Sequence, residues 1–236
     1  MSHIMLIYLD LETTGLEEED RLCALGIIVV ETNTTKCYES YVKASRKVRA
    51  EAMAVHHITN EMLVDAPDFE KSEVFEVLKR YNNTETILLG HNINFDIAML
   101  AKEGFVWQGG IIDTLKCARH LIDEIDRFSL QYLRYELRLY AKEVVEAKKL
   151  DITLRAHTAL SDALHVKLLH EYLQESADDE RLMELTLTPA LIKKFLFGKH
   201  KNSYIEEVAM KDKSYLQWLL KQEIDEDLSY SIQHYL

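Results

Sequence analysis

An α/β domain built on a mixed sheet, with a small α+β module after it, is what the pattern of apolar and polar residues predicts for this chain. Three observations support that expectation. Residues 4–9 are apolar without interruption, as a strand covered on both faces requires. Strand-like runs continue as far as Val42, which suits an antiparallel meander, and beyond it strand and helix patterns alternate, which suits a parallel half of the same sheet. Ala159, Ala163, Val166, Leu169 and Leu173 then form one apolar stripe at helical spacing, a face able to cover that sheet.

The first strand is the anchor, and two acids interrupt it. Strand side chains alternate, so Tyr8, Asp10 and Glu12 project from one face and Leu9 and Leu11 from the other. Like charges brought together at the end of an apolar strand cost free energy unless protons or cations neutralise them, an arrangement suited to an oxygen-liganded divalent metal. Thr13, Thr14 and Gly15 end the strand, and a glycine there lets a ligand approach the main chain.

The other elements follow in order. Residues 21–31, rich in Leu, Ile and Val, give a second strand, Asn33 and Thr34 a turn, and residues 36–42 a third strand by alternation. Residues 51–55 suit a short helix, Thr59 caps residues 60–64, and after Pro67 a helix over 69–81 carries Phe69, Val74, Val77, Leu78 and Tyr81. A buried strand over 86–90 ends at Gly90. Asn94 then caps a helix reaching Glu103, with Asp96 in its first turn. Gly109 and Gly110 turn into a brief strand ending at Asp113, and helices follow over 114–122, 129–137 and 158–173.

A boundary near residues 176–181 divides the chain into 1–177 and 178–236. In the second part, Thr188 and Pro189 open a helix ending near Gly198, a hairpin turns through Asn202 and Ser203, and a helix covers residues 215–221. There Trp218 lies beside Leu219 and Leu220 and is assigned to the core face.

A chain of 236 residues, 47% hydrophobic and 29% charged, is long enough to bury a core of its own. No apolar run is long enough to span a bilayer and the N-terminus lacks signal-peptide order, so a cytoplasmic setting without a membrane partner is expected. Cys23, Cys37 and Cys117 are odd in number and far apart, which suits reduced core residues. The net charge of −12 lacks the basic footprint of a nucleic-acid binder. An enzyme that sets metal ions between its own acids and a phosphate needs no such footprint.

Two further acidic positions and a histidine complete the pattern. Asp96 stands at a helix start directly after a strand, where interaction with the helix dipole is the plain structural alternative. His157 and Asp162 are five residues apart, about 140° around a helix axis, so they diverge if both are helical. His157 is therefore expected in the loop, folding back over the site, with Asp162 in the first turns. Asp10, Glu12, Asp96 and Asp162 together are hard oxygen ligands for Mg²⁺ or Mn²⁺, and His157 is a base for a water proton.

In order and spacing, the segments Asp10-Leu-Glu12-Thr-Thr-Gly15, His91-Asn-Ile-Asn-Phe-Asp96 and His157-Thr-Ala-Leu-Ser-Asp162 resemble the three motifs of the DEDDh class of 3′→5′ exonucleases, in the DnaQ-like superfamily. The likeness is to the proofreading epsilon subunits of DNA polymerase III and still more to the exonuclease X branch. It covers roughly residues 4–175. It implies an RNase H-like mixed sheet flanked by helices. The resemblance further implies two Mg²⁺ or Mn²⁺ ions held by Asp10, Glu12, Asp96 and Asp162, His157 as general base, and release of nucleoside 5′-monophosphates. It places Thr13 and Thr14 at the terminal nucleotide, Leu16 as a wedge near the terminal bases, and His91, Asn92 and Phe95 along the cleft. His56 falls where relatives carry Val-His-Gly-Ile and contact the terminal nucleotide, but here His57 replaces the glycine. The segments from Phe197 to Lys201, Ile205 to Val208 and Ser214 to Leu220 resemble the C-terminal module of exonuclease X-like proteins, whose lysines would meet nucleic acid.

The expected activity is cleavage of single-stranded DNA at 3′ ends, in repair or proofreading and alongside replication or repair proteins. Two other readings remain: an exoribonuclease of the RNase T or oligoribonuclease kind acting on RNA, and a catalytically silent relative that binds nucleic acid and recruits a polymerase.

Overall fold

The computed structural model describes residues 5–123, 125–155 and 157–236; Ile4, the expected start of the first strand, lies outside them. Strands β1 (Met5–Thr13), β2 (Leu22–Val30), β3 (Thr35–Tyr41), β4 (Thr86–Gly90) and β5 (Gly110–Asp113) form one sheet in the order β3-β2-β1-β4-β5. Pairing is antiparallel from β1 through β3 and parallel from β1 through β5, so the sheet is mixed and β1 is central. A central strand is covered on both sides, which is why its apolar run is unbroken.

The alternation of β1 sorts the two layers. Ile7, Leu9 and Leu11 face a core shared with α2 (Glu73–Tyr81) and α3 (Ile93–Lys102), through Val74, Val77, Leu78, Met99 and Leu100. Tyr8 faces the opposite core, where α7 (Ala159–Leu173) lies across β1 and β2. The expected α7 stripe of Ala159, Ala163, Val166, Leu169 and Leu173 is wholly buried. On this side α4 (Thr114–Leu121), α5 (Leu130–Glu136) and α6 (Tyr140–Lys149) complete the layer, while Ala52 and Met53 of α1 (Ala50–His56) pack with Cys23 and Ala24 of β2.

α8 (Asp179–Thr186) packs on β5 and α4 and adds Leu182 and Leu185 to the α7-side core. Its first turn is tied to the sheet through a buried chain. Tyr8 Oη lies 3.0 Å from His170 Nδ1, and His170 Nε2 lies 2.8 Å from Asp179 Oδ1. An imidazole carrying its proton on Nε2 satisfies both, and the His170 contact holds the Asp179 carboxyl below its ordinary range.

The remaining helices, α9 (Ile205–Lys211), α10 (Lys213–Leu219) and α11 (Glu226–Tyr235), gather around Phe195, Ile205, Leu216, Leu228 and Ile232. Their β content is a single bridge, Lys194 with Tyr204, at the foot of the turn through Asn202. Acids at the start of α11 meet bases on α4: Lys116 Nζ is 2.6 Å from Glu226 Oε2, and Arg119 pairs with Asp225 and the fully buried Asp227.

Several sequence expectations fail for identifiable reasons. No helix follows Pro189, because the Ala190 and Ile192 amides donate instead to Asp227 Oδ1 and Ser231 Oγ of α11, at 2.9 and 2.6 Å. Asn94 does not cap α3. The helix starts earlier, with Asn92 at its N-cap in the left-handed region, at φ 64°, and the Asn92 amide donating to Asp113 Oδ1 at 2.9 Å. Trp218 is 53% exposed while Leu219 is buried, so its helix turns the indole outward against Tyr215. Among the described residues, no helix is long and apolar enough to cross a membrane.

Candidate active site

The site forms where β1 runs out of partners. Asp10 pairs with Gly26 and Glu12 with Ala24, and the register slips immediately afterwards, between Glu12 and Thr13. Such an irregularity bends the strand and re-aims the side chains beside it, before the ladder closes on the pair Thr13 and Leu22. Across from Asp10, Gly26 lets α7 descend onto the sheet: a Cβ at this position would stand 2.2 Å from the Leu160 backbone nitrogen. The missing side chain therefore admits the first turn of α7, and with it Asp162.

Asp10, Glu12 and Asp162 each present an oxygen within 4.8 Å of the others. Withdrawal from water pushes Asp10 well above the usual carboxylate range, and Asp162, Asp96 and Glu12 push it further. Burial, with Asp162, Asp96 and Glu39, raises Glu12 to about 8. The neighbours that act most on both are other carboxylates, so the cluster lacks the counter-charge that a divalent ion would supply. The donor set is all hard oxygen. The acidic cluster of Asp10, Glu12 and Asp162 could therefore hold a metal ion.

Asp96 is buried in the first turn of α3, and burial with Asp113 nearby raises its carboxyl too. It acts on Asp10 and Glu12 through its charge but does not join the three oxygens that lie within 4.8 Å of one another. His157 occupies a turn before α7, as its spacing from Asp162 required, with φ at 53°. A non-glycine residue held in that region is strained, a feature that clusters at functional positions.

The expected substrate-side residues fall into two groups. Leu16, 84% exposed, and the buried His56 line a cleft of about 600 Å³ that also contains Glu12, Arg49 and Val55. His56 accepts the Ile58 amide at Nδ1, so its proton sits on Nε2 and is donated to the Thr13 carbonyl at 3.1 Å. Burial holds its pKa down, and the ring braces the loop after β1 as a neutral group. His57, in the place where the resembled motif has glycine, takes the left-handed geometry that glycine adopts most readily, with φ 61° at the C-cap of α1. Thr13 Oγ1 donates to the Gly15 carbonyl at 2.6 Å. Thr14 Oγ1 donates to Asp20 at 2.8 Å, and a Cβ on Gly15 would collide with that same carboxylate, so close packing is what demands glycine there.

The second group is turned toward the scaffold. His91 donates from Nε2 to the Phe128 carbonyl at 2.7 Å, with Nδ1 at 3.1 Å from Thr114 Oγ1. Burial pushes it down to about 4, so it is neutral. Phe95 packs against the α2–α3 core, while Asn92 is exposed at the α3 cap.

The sequence did not single out the groups that hold Asp162. Gln131 Nε2 donates to Asp162 Oδ1 at 2.7 Å, and His165 Nδ1 lies 3.0 Å from the same oxygen. His165 had a readable signal, since a residue three positions on from Asp162 shares its helix face. Gln131 had none.

Comparison with known proteins agrees with this architecture. An exonuclease family model matches residues 7–169, and an exodeoxyribonuclease X-like C-terminal model matches residues 195–223. Exodeoxyribonuclease 10 of Escherichia coli K12 is 29% identical over 240 residues, covering 98% of this chain and 99% of its own. The epsilon subunit of DNA polymerase III from Buchnera aphidicola is 29% identical over 150 residues, 54% of this chain and 62% of that one. Exonuclease X in complex with 5′ overhanging duplex DNA superposes with a TM-score of 0.58 at 25% identity, covering 77% of this chain and 99% of that one. Escherichia coli exonuclease I in complex with a dA16 oligonucleotide shares the fold, with a TM-score of 0.54 at 18% identity over 76% of this chain and 42% of that one. The match to the exonuclease model extends over more than half of the sequence and contains β1 from Ile7 onward, α3 and the first turns of α7, so the chain belongs to the exonuclease family and is a 3′→5′ exonuclease.

Proposed function

We propose that Asp10, Glu12, Asp162 and Asp96 hold two divalent ions, Mg²⁺ or Mn²⁺, and that the protein removes nucleoside 5′-monophosphates from the 3′ ends of single-stranded DNA. The observation that carries this is the gathering of three carboxylate oxygens within 4.8 Å, from two elements, beside an open cleft. Ions bound there would neutralise the carboxylates, make the attacking water more acidic and offset charge building on the phosphate. The acids of β1 and α7 fix where the scissile phosphate sits. His157, in the turn before α7, takes the proton as water adds to phosphorus and the bond to the 3′ oxygen breaks. The backbone after Glu12 receives the terminal nucleotide, held in place by His56 and the Thr13 and Thr14 hydroxyls. Leu16, almost fully exposed at the cleft mouth, wedges against the terminal base. His91, Asn92 and Phe95 support the α3 side of the cleft.

DNA is favoured over RNA because the relative matched along nearly its whole length is an exodeoxyribonuclease and a matched structure holds DNA. The proposal extends to a division at 177/178, across which α8 packs back onto the first unit, and to replication or repair partners. It also extends to a cytoplasmic setting, where the free thiols of Cys23, Cys37 and Cys117 stay reduced. A 5′-labelled oligonucleotide incubated with Mg²⁺ or Mn²⁺ tests the activity. Stepwise shortening of single-stranded DNA, faster than that of matched RNA, is expected. Faster loss of RNA would make the substrate RNA, and loss of neither strand would leave only a binding role.

A further inference from the structure

Behind Asp162 lies a closed ring of polar side chains from three helices. Gln131 on α5 donates to Asp162 Oδ1 at 2.7 Å and accepts from Arg134 Nη1 at 3.1 Å. Arg134 grips Glu143 of α6 with two parallel bonds, Nε to Oε2 and Nη2 to Oε1, both 2.6 Å. Glu143 Oε2 stands 3.2 Å from His165 Nε2, and His165 Nδ1 returns to Asp162 Oδ1 at 3.0 Å. Glu143 and His165 are buried, at 6% and 2% exposure. The Glu143–His165 contact is close but not aligned as a hydrogen bond, which leaves His165 Nε2 as a buried polar atom without a hydrogen-bond partner among the described residues.

The ring is costly as a purely structural feature. A buried ion pair gains little over well-packed apolar residues, and here α6 is turned to keep it: Glu143 faces inward while Val144 and Val145 are 64% and 56% exposed. What the ring does achieve is asymmetric. Both of its bonds to Asp162 fall on one oxygen, Oδ1, which fixes the plane of the carboxylate and, among the described residues, leaves Oδ2 without a hydrogen bond.

We propose that the Gln131–Arg134–Glu143–His165 ring is a positioning device that occupies Asp162 Oδ1 and so presents Oδ2 to a divalent ion shared with Asp10 and Glu12. This rests on the metal site proposed above. None of the four residues need touch substrate. Partners that orient a metal-ligating side chain from behind typically change metal affinity about 10–100-fold when removed.

The test is Mn²⁺ binding by titration calorimetry on the whole, substrate-free protein, for the wild type, Gln131→Leu and Glu143→Gln. Gln131 is partly exposed on a helix surface and leucine is a good helix former, so Gln131→Leu is expected to fold with a melting temperature near that of the wild type. Both variants are expected to bind Mn²⁺ at least about tenfold more weakly. Cleavage by Gln131→Leu is expected to return toward the wild-type rate at saturating Mn²⁺, which a merely loosened fold would not do. Wild-type Mn²⁺ affinity in a folded Gln131→Leu protein would overturn the ring's role. Absence of Mn²⁺ binding by the wild type would instead overturn the metal site itself, so the two failures are distinct. Should Glu143→Gln prove unstable, Gln131→Leu decides alone.

Discussion

Two clusters of aspartate and glutamate, one at the end of β1 and one at the start of α11, have opposite electrostatics. At the end of β1, burial raises the proton affinity of Asp10 and Glu12, and the neighbours acting most on both, Asp162 and Asp96, are acids that raise it further. At the start of α11, Asp225, Glu226 and Asp227 are met by Lys116 and Arg119 of α4, and Asp227 is buried without an unanswered charge. The residue types match, but one cluster stores repulsion and the other resolves it. Unresolved charge in a folded core signals a missing cation; resolved charge signals a joint between packed elements.

The sharpest way to break this contrast is to neutralise one acid in each place. Asp10→Asn should abolish detectable cleavage and raise the melting temperature of the metal-free protein, because it removes repulsion. Asp227→Asn should do the reverse. It leaves Arg119 short of its buried partner and should cost about 3–5 kcal/mol in urea unfolding, while the β1 acids remain in place. If both substitutions moved stability in the same direction, the distinction between the clusters would be wrong.

His157→Ala should lower kcat by roughly a hundredfold or more, with oligonucleotide binding largely kept, since general-base catalysis is worth about 10²–10⁴-fold. An unchanged rate at neutral pH would move the base elsewhere. Gly26→Ala probes how Asp162 reaches Asp10. The added methyl meets the Leu160 backbone, which can yield only by lifting the start of α7. Such overpacking costs about 1–3 kcal/mol, and Mn²⁺ affinity should fall with it.

The last prediction concerns pH. The Glu12 carboxyl titrates near 8 in the folded, metal-free protein against an ordinary 4.5, so between these values the folded state binds more protons than the unfolded state. Stability in EDTA should therefore decline as pH rises from about 4.5 towards 8, with the Asp10 and Asp96 carboxyls adding to the decline. Saturating Mg²⁺ should remove it. Melting curves from pH 5 to 8.5 that are flat without metal would show that the β1 acids carry no stored repulsion.

Much of the site was legible because short-range geometry wrote it. Asp10 and Glu12 share a face through strand periodicity, and His157 had to leave the helix that carries Asp162. The elements that were missed have patterns that local rules misread. α6 shows two valines to water and an acid to the core, which only the Arg134 and His165 contacts explain. The strap after Pro189 is extended because its amides bond to side chains about 40 residues ahead, on α11. Trp218 sits beside two leucines in sequence, yet the rotation of α10 sends it outward.

The sequence by itself determined the central strand, the order of sheet and helices, and the acids that share a face, because strand and helix periods act over a few bonds. Tertiary structure decided which oxygens come within ligating distance, which histidines are neutral braces, and what holds Asp162. Those outcomes depend on contacts between residues tens of positions apart: Gly26 under Leu160, Gln131 on Asp162, Arg119 on Asp227. Their geometry exists only once the layers have packed.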